Sequence, residues 1–129
     1  MVVADLHIGI EHELRKGGVA VPSQTKNTEE RLVSLVENTD AEELVVLGDV
    51  KHNIPSISLQ EYRELPGFIK TLSTYVDVTV VKGNHDGNLE KLVPQVDILD
   101  SLERGRALFV HGHSWIKTKA INTEIMVMA

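Results

Sequence analysis

The chain has 129 residues, 42% of them hydrophobic and 25% charged, with a formal net charge of -6 at pH 7 and no cysteine. That length supports about one domain with a modest core, the missing cysteines exclude disulfides and thiolate metal sites, and their absence agrees with a reducing cytoplasm. The acidic balance argues against a broad basic surface that grips nucleic acid, but not against a phosphate substrate held through cations.

Residues 1–4 read as a very short strand running straight into Asp5. Buried strands commonly have about five or six residues, so the natural chain is expected to begin upstream. Residues 9–16 carry helix formers and stop at Gly17-Gly18, with His12 as an exposed helix residue; residues 19–24, with Pro22, read as an extended loop. Over residues 27–38, Leu32, Leu35 and Val36 share one face at helical spacing while Glu29, Glu30 and Arg31 take the others, which predicts an amphipathic cover helix. Residues 43–47 are unbrokenly apolar after Glu43 and predict a strand buried on both faces. Residues 50–55 form a polar loop in which His52 either lines a site or bonds within the loop. Ser58 with Glu61 is a capping box opening a helix to about residue 74, which Pro66-Gly67 must kink or split.

The alternating, β-branched run 76–81 predicts a third strand, and residues 88–93 a short helical turn closed by Pro94. Residues 96–99 read as an edge strand, Arg104-Gly105 as a hairpin-like turn into the strand 107–110, and residues 123–129 as a last apolar strand. Strands alternating with helices, with no repeat or linker, predict one layered α/β domain spanning residues 1–129. No apolar run approaches the roughly 20 residues of a membrane span and no signal sequence opens the chain, so a cytoplasmic protein without membrane contact is expected.

Four of these apolar runs end in ligand-type residues: Asp5-Leu6-His7, Gly48-Asp49, Gly83-Asn84-His85-Asp86 and His111-Gly112-His113. Five of the six histidines lie in or just after these corners. The carboxyl ends of strands in an open α/β sheet form the crevice where sites are built, so these remote residues are expected to meet there. Asp5 and His7, one residue apart on an extended strand end, would point the same way and bind one ion together. Asp49 has two oxygens and can bridge two ions, while Asn84 and His111 offer an oxygen and a nitrogen to the second. Two such ions lower the pKa of a bridging water, so that a metal-bridging hydroxide can attack phosphorus in line. His85 is the natural general acid for the leaving alkoxide, with Asp86 placed to orient its ring. His113 and His52 are candidate contacts to substrate phosphate, whereas Lys51 reads as an ordinary solvated lysine.

These four blocks resemble the signature of the calcineurin-like metallophosphoesterase superfamily, and the text around them is similar to small archaeal-type phosphoesterases related to the DNA-repair exonuclease branch. The resemblance covers essentially the whole chain. It implies a four-layer αββα sandwich of two mixed sheets and a dinuclear centre hydrolysing phosphomono- or phosphodiesters, with a nucleotide or a nucleic-acid end among the substrates. Carried over by motif, Asp5, His7 and Asp49 hold one metal, Asp49, Asn84 and His111 the other, and His85 donates the proton. Manganese is the expected metal, with zinc, iron and nickel as the others. The family's last block, glycine-histidine-any-histidine, has no match here, so the domain is expected to be incomplete at its C-terminus. Two readings stay open: a phosphoesterase, or a non-catalytic binding or scaffold module that keeps the fold with an incomplete metal site. A dinuclear metallopeptidase is a third and has no need of the Asn84-His85 pair. Aromatic content of 4% offers no stacking platform for single strands, and a homodimer would cover sheet edges left open.

Overall fold

The computed structural model describes residues 1–113 and 123–129. Its elements run β1 (Val2–Ala4), α1 (Ile10–Lys16), α2 (Thr25–Thr39), β2 (Glu43–Leu47), α3 (Leu59–Leu72), β3 (Asp77–Val81), a 3-10 turn (Leu89–Lys91), β4 (Asp97–Leu99), β5 (Leu102–Arg104), β6 (Ala107–Val110) and β7 (Ile125–Met128). The first four strands form a sheet in the order β1-β2-β3-β4, and all three pairings are parallel. A second sheet has the order β5-β6-β7, antiparallel across β5 and β6 and parallel across β6 and β7.

Side-chain alternation along β2 and β3 divides the core. Leu44, Val46, Val78 and Val80 face α2 and α3, where Leu32, Val36, Leu65, Phe68, Ile69 and Leu72 meet them. Val45, Leu47 and Val81 face the other way, onto Leu102, Phe109 and Val127 of the second sheet. A strand with a period of two and a layer on each face must be apolar at every position, which is why residues 44–47 show no polar break. Arg104 ties the layers at their edge, its guanidinium donating to Glu43 Oε1 at 2.6 Å and Oε2 at 3.1 Å and holding the Glu43 carboxyl below its usual range.

The resemblance implied two mixed sheets in four layers, and here the structure differs. The first sheet is wholly parallel, only the second is mixed, and the helical layer expected on the far face of the second sheet is not among the described elements. Two local expectations also change. Pro66 does not split α3, which runs unbroken over 14 residues. The carbonyl deprived of its partner by Pro66 is that of Tyr62, a residue 68% exposed, so water can take the bond. Glu29, expected on an outer face of α2, is buried beside Lys26, whose ammonium lies 2.5 Å from its carboxylate, while Leu35 of the predicted apolar face stays exposed. Among the described residues no helix is long and apolar enough to cross a membrane.

Candidate metal centre

The carboxyl ends of β1, β2 and β3 and the end of β6 meet at one rim. The chain after β1 is zipped to the chain after β2: Asp5 N–H donates to the Gly48 carbonyl at 3.2 Å, His7 N–H to that of Asp49 at 2.8 Å, and Ile8 N–H to that of Val50 at 2.9 Å. The backbone is not extended there, contrary to expectation. Asp5, His7 and Asp49 all take left-handed conformations, with φ of 53°, 45° and 50°. Such values are uncommon for residues other than glycine and concentrate where surrounding structure over-determines a functional loop.

Two glycines make the close approach feasible. A Cβ on Gly83 would overlap the Asp49 carboxylate and its backbone N, and one on Gly48, where φ is +79°, would overlap the His111 ring. Both positions follow a buried strand and admit only a hydrogen as side chain. The result is a buried Asp49 whose Oδ2 lies 3.7 Å from His7 Nε2 and 3.8 Å from His111 Nε2, while its Oδ1 accepts the His85 N–H at 2.9 Å. His111 Nε2 is also 3.6 Å from Asp5 Oδ1. Ligand atoms of Asp5, Asp49 and His111 lie within 4.8 Å of one another, and so do those of His7, His52 and His85. Asp49 thus stands between two groups of donors. The nitrogen and oxygen atoms converging on one carboxylate fit a divalent ion of borderline or hard character.

The remaining predicted residues are placed as follows. Asn84 is exposed between Gly83 and His85. The Nδ1 atoms of His113 and His111 are 2.8 Å apart. His12 lies outside both donor groups on α1. His85 Nδ1 contacts the carbonyl of His52, so that nitrogen carries the proton, and the ring meets His7 edge-on at 4.8 Å. Asp86 therefore does not orient the His85 ring. It is fully buried and accepts from Gly83 N–H at 2.8 Å and Lys51 N–H at 3.2 Å, tying the β2 and β3 corners together. Burial raises its carboxyl above the usual range against these hydrogen bonds. Lys51 is not solvated: its side chain is wholly buried and its ammonium donates to the Asn53 carbonyl. Burial pushes its pKa down, with Glu61, Asp86 and Asp49 opposing.

His52 lies beside His7 and His85, and two acidic residues hold it there. Its Nε2 is 2.7 Å from Glu13 Oε2 and its Nδ1 is 3.2 Å from His7 Nδ1. A carboxylate partner at Nε2 favours the proton there and leaves Nδ1 an acceptor, so His7 can donate from Nδ1 and keep Nε2 toward Asp49. Burial lowers the pKa of His7, with the Asp49 carboxylate opposing. Glu61 fixes the loop itself, accepting His52 N–H at 2.9 Å and Asn53 N–H at 2.6 Å through Oε1 and Ser58 N–H at 2.6 Å through Oε2. The sequence marked Glu61 only as a helix cap and did not mark Glu13 at all; a carboxylate one helical turn into a predicted helix gives no sign of a distant partner.

A family model described as the calcineurin-like phosphoesterase superfamily domain matches residues 1–128. Among solved structures, the chain is similar to the nuclease MPE of Pseudomonas putida, with 22% identity, a TM-score of 0.66, 96% of this chain covered and 57% of that one. It is also similar to Yfce, a phosphoesterase from E. coli, with 22% identity, a TM-score of 0.52, and 88% and 57% of the two chains covered. The chain therefore spans a little over half the length of these structures, and the likeness is one of fold. No curated protein matches.

Proposed function

We propose, from the premise that this chain belongs to the calcineurin-like phosphoesterase superfamily, that it is one phosphoesterase domain whose site hydrolyses phosphomono- or phosphodiesters. The observation that carries this reading is the buried Asp49 carboxylate, approached by ring nitrogens of His7 and His111 from separate donor groups. In this reading Asp49 would serve two divalent ions, with Asp5 and His111 holding one and His7 the other and with Asn84 offering a further oxygen, and manganese is the metal expected at such a mixed oxygen and nitrogen set. Bound ions would supply charge to polarise the phosphoryl oxygens and would lower the pKa of water in the site.

The chain's own residues do the rest. His85 donates its Nδ1–H to the His52 carbonyl, and in the imidazolium form its Nε2 would carry the second proton, the one given to the leaving alkoxide. His113, beside His111, is a contact for phosphate oxygens, and His52 orients His7 as well as bordering the substrate. A nucleotide or nucleic-acid end remains within the substrate range, and the absence of cysteine suits a cytoplasmic setting.

The test is metal content per chain after manganese loading and desalting, with p-nitrophenyl phosphate ester hydrolysis on the same sample. Bound metal with turnover supports the reading, and His85→Ala should then lose about two to four orders of magnitude in turnover at unchanged metal content. One ion or none, without turnover, would replace it by the non-catalytic binding module.

A further inference from the structure

Beside the donor groups a cleft of about 700 Å³ opens between α1 and the loop at residues 52–54. Its inner wall is His52 and His85, and its outer walls carry Ile10, Leu14, Val19 and Ile54. Each of these four is between 39% and 55% exposed. A single exposed aliphatic side chain is ordinary surface, but four that line one concavity beside a proton-bearing histidine are not scattered. Ile10 and Leu14 stand four residues apart on α1, so both fall on the helix face that borders the cleft. A concave, mostly apolar space with a few polar groups at one end is the usual form of a small-molecule site.

Resting on the function proposed above, we infer that this cleft seats the leaving group of the ester, and that this group carries an aromatic ring system, either an aryl group or the base of a nucleoside. The position follows from His85. A histidine that protonates the leaving oxygen must lie on that oxygen's side of phosphorus, so whatever the oxygen carries extends past His85 into the space His85 lines. The chemistry follows from the walls. The polar side chains of the lining are few: Glu13 is paired with His52, Asn53 Nδ2 is turned to Glu61, and Lys16 is the one further charge among them. Its aliphatic walls suit the faces of a flat ring.

Non-hydrolysable phosphonates test this without turnover. On the manganese-loaded chain, calorimetric titration with inorganic phosphate, methylphosphonate, phenylphosphonate and a nucleoside phosphonate in which a methylene group replaces the 5′ ester oxygen reads each affinity. Phenylphosphonate should bind about tenfold more tightly than methylphosphonate, the gain expected from burying one ring face. A further gain with the nucleoside compound would identify a nucleoside base as the source of the ring, and none would identify a plain aryl group. Leu14→Gln should bring the phenyl-to-methyl ratio near one, while Leu35→Gln, equally exposed on α2, keeps it. Inorganic phosphate binding with equal affinity for the two phosphonates would overturn the inference and leave the phosphoesterase reading standing. Failure of all four ligands to bind would overturn that reading, and the inference with it.

Discussion

Replacing Glu61 tests whether one buried carboxylate holds the site's loop and its neighbouring helix start together. The side chain is fully buried and accepts from three backbone N–H groups, those of Ser58, His52 and Asn53. Hydrogen bonds to a charged acceptor contribute about 1.5–3 kcal/mol each. Taking the low figure, because water enters the space left behind, Glu61→Ala should cost about 4–5 kcal/mol. That is a large share of a stability of about 5–15 kcal/mol, so Glu61→Gln is the more informative variant. An amide keeps one oxygen for His52 and Asn53 but sets its NH2 against the Ser58 N–H, for a loss of about 2 kcal/mol. Burial pushes the Glu61 carboxyl up, yet the hydrogen bonds from Asn53, Ser58 and His52 outweigh it and hold the group below its ordinary 4.5. Its stabilisation is therefore complete above that value and is lost as pH falls through the lower folded value. Urea unfolding of wild type and Glu61→Gln between pH 3 and pH 7 should show a shallower acid limb in the variant, with the His52 ring resonances displaced. A loss under about 1 kcal/mol for Glu61→Ala, or an unchanged acid limb for Glu61→Gln, would refute the reasoning.

Gly83→Ala should abolish stable metal loading, because the added methyl meets the Asp49 carboxylate and backbone; retention of wild-type manganese content on elemental analysis would contradict that packing. His7 in the metal-free protein should titrate below the ordinary 6.5, since burial disfavours its charged form. A lowered histidine pKa means that the unfolded chain binds the extra proton first, so the stability His7 contributes is present above about 6.5 and declines as pH falls toward the folded value. Long-range nitrogen-proton NMR of the ring reads that midpoint directly, and a value at or above 6.5 would remove the burial argument.

The four corners were legible because two requirements coincide in them. A strand buried on both faces is largely apolar, so Leu44 to Leu47 and, but for the buried Thr79, Val78 to Val81 stand out in sequence, and the polar residues that follow each run stand out against it. Parallel pairing then brings those ends to one rim without further information. The capping box at Ser58 and Glu61 was equally local and equally readable. What escaped the sequence acts across distance. Lys51 looks solvated in a polar loop, yet the isolated parallel bridge between Ile8 and Lys51 draws it inside, where the Asn53 carbonyl and the nearby carboxylates meet its charge.

The sequence by itself determined the strand and helix order, the sites of the turns and the chemical types gathered at the rim, because apolar periodicity and glycine placement act through neighbours along the chain. Only the tertiary structure decided how the donors divide. The left-handed turns at Asp5 and His7 send their side chains to different groups, the His52 carbonyl takes the His85 ring in place of Asp86, and Glu13 and Glu61 hold the loop from separate helices. Each of these depends on where a backbone amide or a carboxylate ends up after the sheets and helices pack, and no spacing along the chain encodes that.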